Sequence, residues 1–263
     1  MDFSFSRDQL LFQDNVRSFL INEVTPERIR ELWQSDSGRS DQLWAQLVEL
    51  GLTALTVPEA QDGMGMNELD FVLIAQECGY AGLPEPLVDT MLIGVPMLAA
   101  LDEQHAPLKQ KWLSRVAEGR ARLAVSEPGD PLVSDAHVAD LLLLANGDEV
   151  HALEREAVRL TRNESVDPSR QLFQVEWTPT PATCVASGEQ GRRLWAAAFN
   201  RGALASAAQL LGLAKRMVDL AVDYTFERKQ FGKPVGSFQA VKHLMANVAV
   251  QIEFAKGPLY RAA

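Results

Sequence analysis

The residues of this chain best suited to chemistry lie close together near its end, in the run Tyr224-Thr-Phe-Glu-Arg-Lys-Gln-Phe-Gly-Lys-Pro-Val-Gly-Ser-Phe-Gln239. Arg228 offers a planar fork of donors that suits a diphosphate. Phe231 can pack on a flat ring, and Gln239 falls in the first turn of a following helix, whose free amides favour anions. Together the three could clamp a dinucleotide. Judged by residue type alone, a surface arginine, a core phenylalanine and a capping glutamine are the plainer account. Other chemistries lack their residues. The two cysteines, Cys78 and Cys184, stand far apart with no CxxC or Cys/His spacing, which argues against a metal site and against a disulfide framework. The Pro58-to-Gly65 stretch, with Asp62-Gly63, reads as a plain connection, because a lone glycine pair is weak support for phosphate binding. Arg192-Arg193 could meet phosphates, yet a solvated helix face is the commoner role for such a pair.

The elements that must position the clamp are long helices. From Gly191 to Gly232 glycine and proline are rare, and Leu194, Ala198, Leu204, Leu211, Ala214, Met217, Ala221 and Tyr224 mark one face of a helix. After a Gly232-to-Ser237 turn, Ser237 is placed to cap another, with Phe238, Val241, Leu244, Met245, Val248 and Ile252 at helical spacing. The first part of the chain is also helical. Ser6 precedes a helix carrying Leu10, Leu11, Val16, Phe19 and Leu20; a second holds Leu43, Leu47 and Leu50 and ends at Gly51. Asn67 caps a third that leads to Gly79, and two more are expected at 88–101 and 108–117. Between Ala121 and about Ala186 short apolar runs alternate with Pro, Gly, Asn and Asp, the pattern of a small antiparallel β domain of about one layer. The expected fold class is α+β, mostly α: an all-α domain at 1–119, a small β domain at 120–187 and a C-terminal helical bundle at 188–263, incomplete because its apolar faces need more chain or another subunit to cover them.

Composition narrows the setting. The 263 residues are 47% hydrophobic, enough for a sizeable core. Lysine and arginine number 25 against 35 acidic residues, a net charge of -10, so no nucleic acid held by a general basic field is expected. The start, Met1-Asp2-Phe3-Ser4, lacks the pattern of a secretory signal, and the apolar stretch Met91–Leu101 is too short to span a bilayer. A cytoplasmic setting with no membrane span is the expectation.

The Tyr224–Gln239 run resembles the signature of the acyl-CoA dehydrogenases. Three further stretches agree with that family in order: Phe3-Ser-Phe-Ser-Arg-Asp-Gln, the Val57-Pro-Glu loop with Gly63 and Gly65, and Ser126-Glu-Pro-Gly129. The resemblance implies FAD as cofactor, an acyl-CoA thioester as substrate and electron-transfer flavoprotein as acceptor. It also implies that Arg228, Phe231 and Gln239 reach across a subunit interface to the adenosine-diphosphate half of a neighbour's flavin.

The family's reaction needs a carboxylate that removes the α-proton as hydride leaves the β-carbon. Matched back from Glu227-Arg228, one family position for that base falls on Gly202, and the other lies beyond Ala263. No catalytic residue is therefore assigned. Asn200-Arg201 falls where relatives contact coenzyme A, a solvated helix face being equally fitting. After Ser126-Glu-Pro the glycine- and serine-rich loop is missing, no tryptophan occurs before Trp177, and the surface that covers a flavin ring is expected to be missing with them. The chain thus resembles the non-catalytic subunit of two-component α2β2 acyl-CoA dehydrogenases, which handle bulky thioesters such as steroid side chains. The alternatives are a self-sufficient homotetramer with its base beyond residue 263, a helical scaffold without chemistry, and an oxidase on the same fold.

Overall fold

The computed structural model describes residues 4–263. Met1, Asp2 and Phe3, on which the reading of the N-terminus and the start of the Phe3-Ser-Phe stretch rest, lie outside the described residues. In chain order the helices are α1 (Arg7–Glu23), α2 (Pro26–Trp33), α3 (Asp41–Glu49), α4 (Glu68–Ala81), α5 (Leu87–Asp89), α6 (Val95–Ala99), α7 (Ala106–Ala117), α8 (Gly188–Glu227) and α9 (Gln239–Ala262). The strands are β1 (Leu123–Val125), β2 (Leu132–Ser134), β3 (Leu141–Asn146), β4 (Glu149–Glu154), β5 (Arg159–Asn163), β6 (Leu172–Glu176), β7 (Cys184–Ala186) and the short pair β8 (Lys229–Gln230) and β9 (Lys233–Pro234). The α+β, mostly α class is as expected. No helix among the described residues is long and apolar enough to cross a membrane.

Local signals set several helix starts. Ser6 accepts from the Gln9 amide at 3.2 Å while the Gln9 side chain accepts from the Ser6 amide at 2.8 Å, a reciprocal capping box. Asn67 Oδ1 accepts from Leu69 N at 2.9 Å and opens α4. Helix α2, which the apolar spacing did not reveal, starts on Thr25 with proline in its first turn and buries no residue, so it lacks the stripe that periodicity detects.

The chain forms two compact units. The first holds the chain up to Val24, Val72–Leu83 and Ser206–Ala263. Its buried side chains include Val16, Leu20, Val72, Ile74, Cys78, Ala208, Leu211, Ile252 and Leu259. Here α4 does not stop at Gly79. The helix continues to Ala81 and ends at Gly82 with φ +71, because Gly79 serves packing: a Cβ there would sit 2.0 Å from Gln209 O. Gly212 answers from α8, where a Cβ would lie 1.9 Å from Gln76 O. Across this unit Glu77, buried, accepts from Arg17 Nε at 2.7 Å and Gln13 Nε2 at 2.6 Å. Burial pushes the Cys78 thiol up to about 12, so this cysteine is an inert packing group.

Part of the apolar face of α8 is open to solvent. Leu211 is buried, but Leu210, Leu213, Met217, Leu220 and Tyr224 are exposed at alternating three- and four-residue steps, and Leu244, Val248 and Phe254 of α9 are exposed too. Met217 and Tyr224, two of the residues that mark the apolar face of α8 in the sequence, stand 57% and 59% exposed.

The second unit holds Thr25–Phe71 and Pro84–Ala205. Its β part corrects the single antiparallel layer expected. There are two sheets, one of order β1-β3-β4-β7 and one of order β2-β6-β5, and β1 pairs with β3 in parallel. Val133 and Phe173 from the smaller sheet share a buried cluster with Leu142, Leu144 and Leu153 from the larger, the interdigitation of two packed layers.

Candidate functional site

The α8–α9 connection carries the three predicted site residues within the first unit. Arg228 follows directly on α8; β8 and β9 then form a hairpin whose two loop residues, Phe231 and Gly232, both have positive φ, +53 and +77. A two-residue loop of that hand matches strand twist, but it favours Asn-Gly. An aromatic residue in the left-handed region costs about 1–2 kcal/mol. Nothing within the unit repays that cost by burial, since Phe231 is 91% exposed and meets only the edge of the Phe238 ring at 6.2 Å. Val235 N donates to Arg228 O at 2.8 Å and ties the hairpin to the end of α8. Gly236 passes so close to α8 that a Cβ would lie 2.8 Å from Thr225 Oγ1. We expect Phe231→Asn to raise the unfolding midpoint by the equivalent of about 1 kcal/mol, since asparagine tolerates this conformation and no buried area is lost; a thermal melt checks it.

The predicted Ser237 cap is not made. Ser237 Oγ donates to Pro234 O at 2.7 Å, closing a short turn, and Phe238 takes the N-cap position without a side-chain hydrogen bond. Gln239 is the first residue of α9, so the first-turn amides next to it have no side-chain acceptor. Arg228 and Gln239 are exposed, and neither side chain has a hydrogen-bond or ion-pair partner among the described residues.

In the second unit, a Cβ at Gly202 would meet only Ile93 Cδ1, at 3.5 Å. Its neighbour Arg201 donates from Nε to Glu68 Oε1 at 2.6 Å. Burial raises the Glu68 carboxyl, but the hydrogen bond and charge of Arg201 outweigh it and hold the group below the ordinary range, the wrong direction for a general base. Asn200 and Phe199 are exposed. At the β1 exit the Ser126 hydroxyl is buried and accepts from Ala145 N at 2.8 Å, a structural role, while Glu127, Pro128 and Gly129 are exposed. Arg192 pairs with Asp148 at 2.7 Å.

Sequence reasoning missed a buried charge cluster in this unit. Arg39 NH2 lies 2.5 Å from Asp135 Oδ1, both side chains almost fully buried, and Arg39 also donates to Ser169 O at 3.0 Å. Burial is the main cause that raises Asp135 to about 7; Arg39 opposes it, while Asp89 and Glu85 add to it. Glu85 and Asp89 are raised in the same way, chiefly by burial. Asp135 has a positive φ of +56, a conformation that aspartate tolerates. Its one sequence signal was an acidic residue between the apolar β runs, too common to single out.

The family description "Acyl-CoA dehydrogenase, N-terminal domain" matches residues 6–120, and "Acyl-CoA dehydrogenase, C-terminal domain" matches 189–263. The chain is 30% identical over 250 residues to the acyl-CoA dehydrogenase IpdE2 of Mycobacterium tuberculosis, covering 95% of this chain and 73% of that protein. Among solved structures, a chain of the ChsE4-ChsE5 complex from Mycobacterium tuberculosis superposes with a TM-score of 0.86 at 22% identity, covering 99% of this chain and 78% of that one. A variant of the Tcur3481-Tcur3483 steroid ACAD gives 0.82 at 23% identity, covering 97% and 76%. These structural likenesses are of fold. By the two domain matches and the identity to IpdE2, the chain belongs to the acyl-CoA dehydrogenase family, whose members are FAD-dependent oxidoreductases.

Proposed function

We propose that this chain is the partner subunit of a two-component acyl-CoA dehydrogenase, lending Arg228, Phe231 and Gln239 to a flavin held mainly by an unlike subunit and supplying no catalytic base. The observation that carries this reading is the hairpin tip: a strained aromatic ring held in water beside an unpartnered arginine and an uncapped helix start. Strain of this kind persists where function requires it. The residues fit an FAD: the Arg228 fork suits the diphosphate, Phe231 the flat ring, and the amides beside Gln239 the negative charge. When bound, the flavin supplies the hydride acceptor for α,β-dehydrogenation of an acyl-CoA thioester.

Gly202, with its neighbouring carboxylate tied to Arg201, supports the lack of a base here. The exposed apolar stripe on α8, with side chains at alternating three- and four-residue steps, supports a second subunit packed against it, here an unlike partner in an α2β2 assembly. In this reading the segments 1–119, 120–187 and 188–263 are its domains. The substrate is a bulky acyl-CoA such as a steroid side-chain thioester, in keeping with the steroid ACAD neighbour, the acceptor is electron-transfer flavoprotein, and the setting is cytoplasmic.

The test is the flavin-to-chain ratio, from visible absorbance, for the chain purified alone and after co-expression with an unlike family member. Little flavin alone and one per unlike pair together is the expected result. Near-full flavin in the chain alone would overturn the reading in favour of a self-sufficient homotetramer. In the complex, Arg228→Ala is expected to weaken flavin retention about 10- to 100-fold, the worth of a charged hydrogen bond. Phe231→Asn should lower retention while leaving the fold at least as stable.

A further inference from the structure

Strands β4 and β7 bring together three side chains that sequence spacing kept apart. Glu149 and His151, two residues apart on β4, share a face, and His151 lies opposite Cys184 of β7 beside a register shift. A carboxylate oxygen of Glu149, a ring nitrogen of His151 and Sγ of Cys184 all lie within 4.8 Å of one another. The imidazole is buried, with the Trp177 ring tilted against it at 4.9 Å.

Both ring nitrogens of His151 have polar partners. Nδ1 lies 2.9 Å from Thr183 Oγ1, whose hydroxyl also reaches Thr180 O at 3.0 Å, and Nε2 lies 3.0 Å from Glu149 Oε2. A metal ion on Nε2 and the carboxylate would replace the proton that joins these two atoms, with Nδ1 left to Thr183. Asn146 Nδ2 donates to the same carboxylate oxygen at 2.6 Å and orients it, while Thr183 orients the imidazole, as outer partners do around metal ligands.

We propose that Glu149, His151 and Cys184 bind one zinc-class divalent ion through the carboxylate, Nε2 and the thiolate, with the fourth position open to solvent. A mixed N, O and S set suits Zn²⁺ and disfavours Mg²⁺ and Ca²⁺, which take oxygen. Ligand bonds of about 2.0–2.3 Å require the three atoms to draw closer than they now stand. Cys184 can supply that movement, because its Sγ is held only by a 3.4 Å contact to Ala186 O. The partly exposed Cys184 and Glu149 provide the entry path. The bound ion would staple β4 to β7 where Trp195 Nε1 donates to Glu149 O at 3.1 Å.

The test uses the full chain without an affinity tag, stripped with chelator and titrated with Co²⁺. One cobalt per chain with a sulfur-to-cobalt charge-transfer band, displaced by Zn²⁺, is expected. The band reports on Cys184, since the chain has two cysteines and Cys78 is buried with its thiol pushed up to about 12. Cys184→Ser, a near-isosteric change at a partly exposed position, should abolish the band and weaken binding by more than about tenfold. Glu149→Gln should keep the band and weaken binding. No band at saturating cobalt, or equal binding by a folded Cys184→Ser, would overturn the site, the latter by placing the ion on surface carboxylates.

Discussion

Gly212→Ala is expected to destabilise the protein by about 3 kcal/mol, the upper end of the overpacking range. The added methyl would meet backbone, Gln76 O at 1.9 Å and Tyr80 N at 2.7 Å, so neither a rotamer change nor a flexible neighbour can relieve the contact. Helices α4 and α8 would have to separate, and the opposing Gly79, equally tight against Gln209 O, would lose its fit with them. Gly202→Ala in the same helix is the control. Its Cβ meets only Ile93 Cδ1 at 3.5 Å, so the propensity gain of about 0.5–1 kcal/mol for alanine over glycine prevails and the variant is more stable. Urea unfolding of both variants checks opposite signs for one chemical change in one helix. Equal effects would show that the α4–α8 approach is looser than described.

Arg39→Met is expected to cost about 3–5 kcal/mol at pH 8, because it leaves the buried Asp135 carboxylate without its cation. The cost should shrink toward pH 5, where Asp135 takes up a proton and no charge is left unpaired. The wild type has its own signature. With a folded pKa of about 7 against an ordinary 3.8, the folded state binds the proton more tightly. The stability from this group is therefore complete below about pH 4 and is lost as pH rises toward 7. Asp135→Asn removes the titration and keeps a residue that tolerates the positive φ. The difference in unfolding free energy between wild type and Asp135→Asn should thus shift against the wild type between pH 5 and 7 and level off above. A difference independent of pH would place the ionised Asp135–Arg39 pair across the whole range.

Much of the fold was legible because its signals are local. The Ser6 capping box, the Asn67 cap, the Gly51 stop and the change from helical spacing to short apolar runs after Ala121 each depend on a few neighbouring residues. The Arg228-to-Gln239 segment was legible for a similar reason: it is one unbroken run between two helices. Where sequence and structure part, a remote group intervenes. Ser237 was a sound cap by type, but Pro234 O takes its hydroxyl. Gly79 was a sound helix stop, but Gln209 O fills the place of a side chain and the helix runs on.

Residue identity and near-neighbour hydrogen bonding made the helical, β, helical sequence of segments, the family signature and the glycine at position 202 legible along the chain, though not helix α2. The parallel β1–β3 pairing and second sheet, the Arg39–Asp135 pair, and the meeting of Glu149, His151 and Cys184 arise from the folded arrangement, as does the strain of Phe231 in water. The physical reason is common to all of these: strand partners, buried charges and close backbone approaches are set by which distant segment arrives, and residue spacing along the chain carries no record of that.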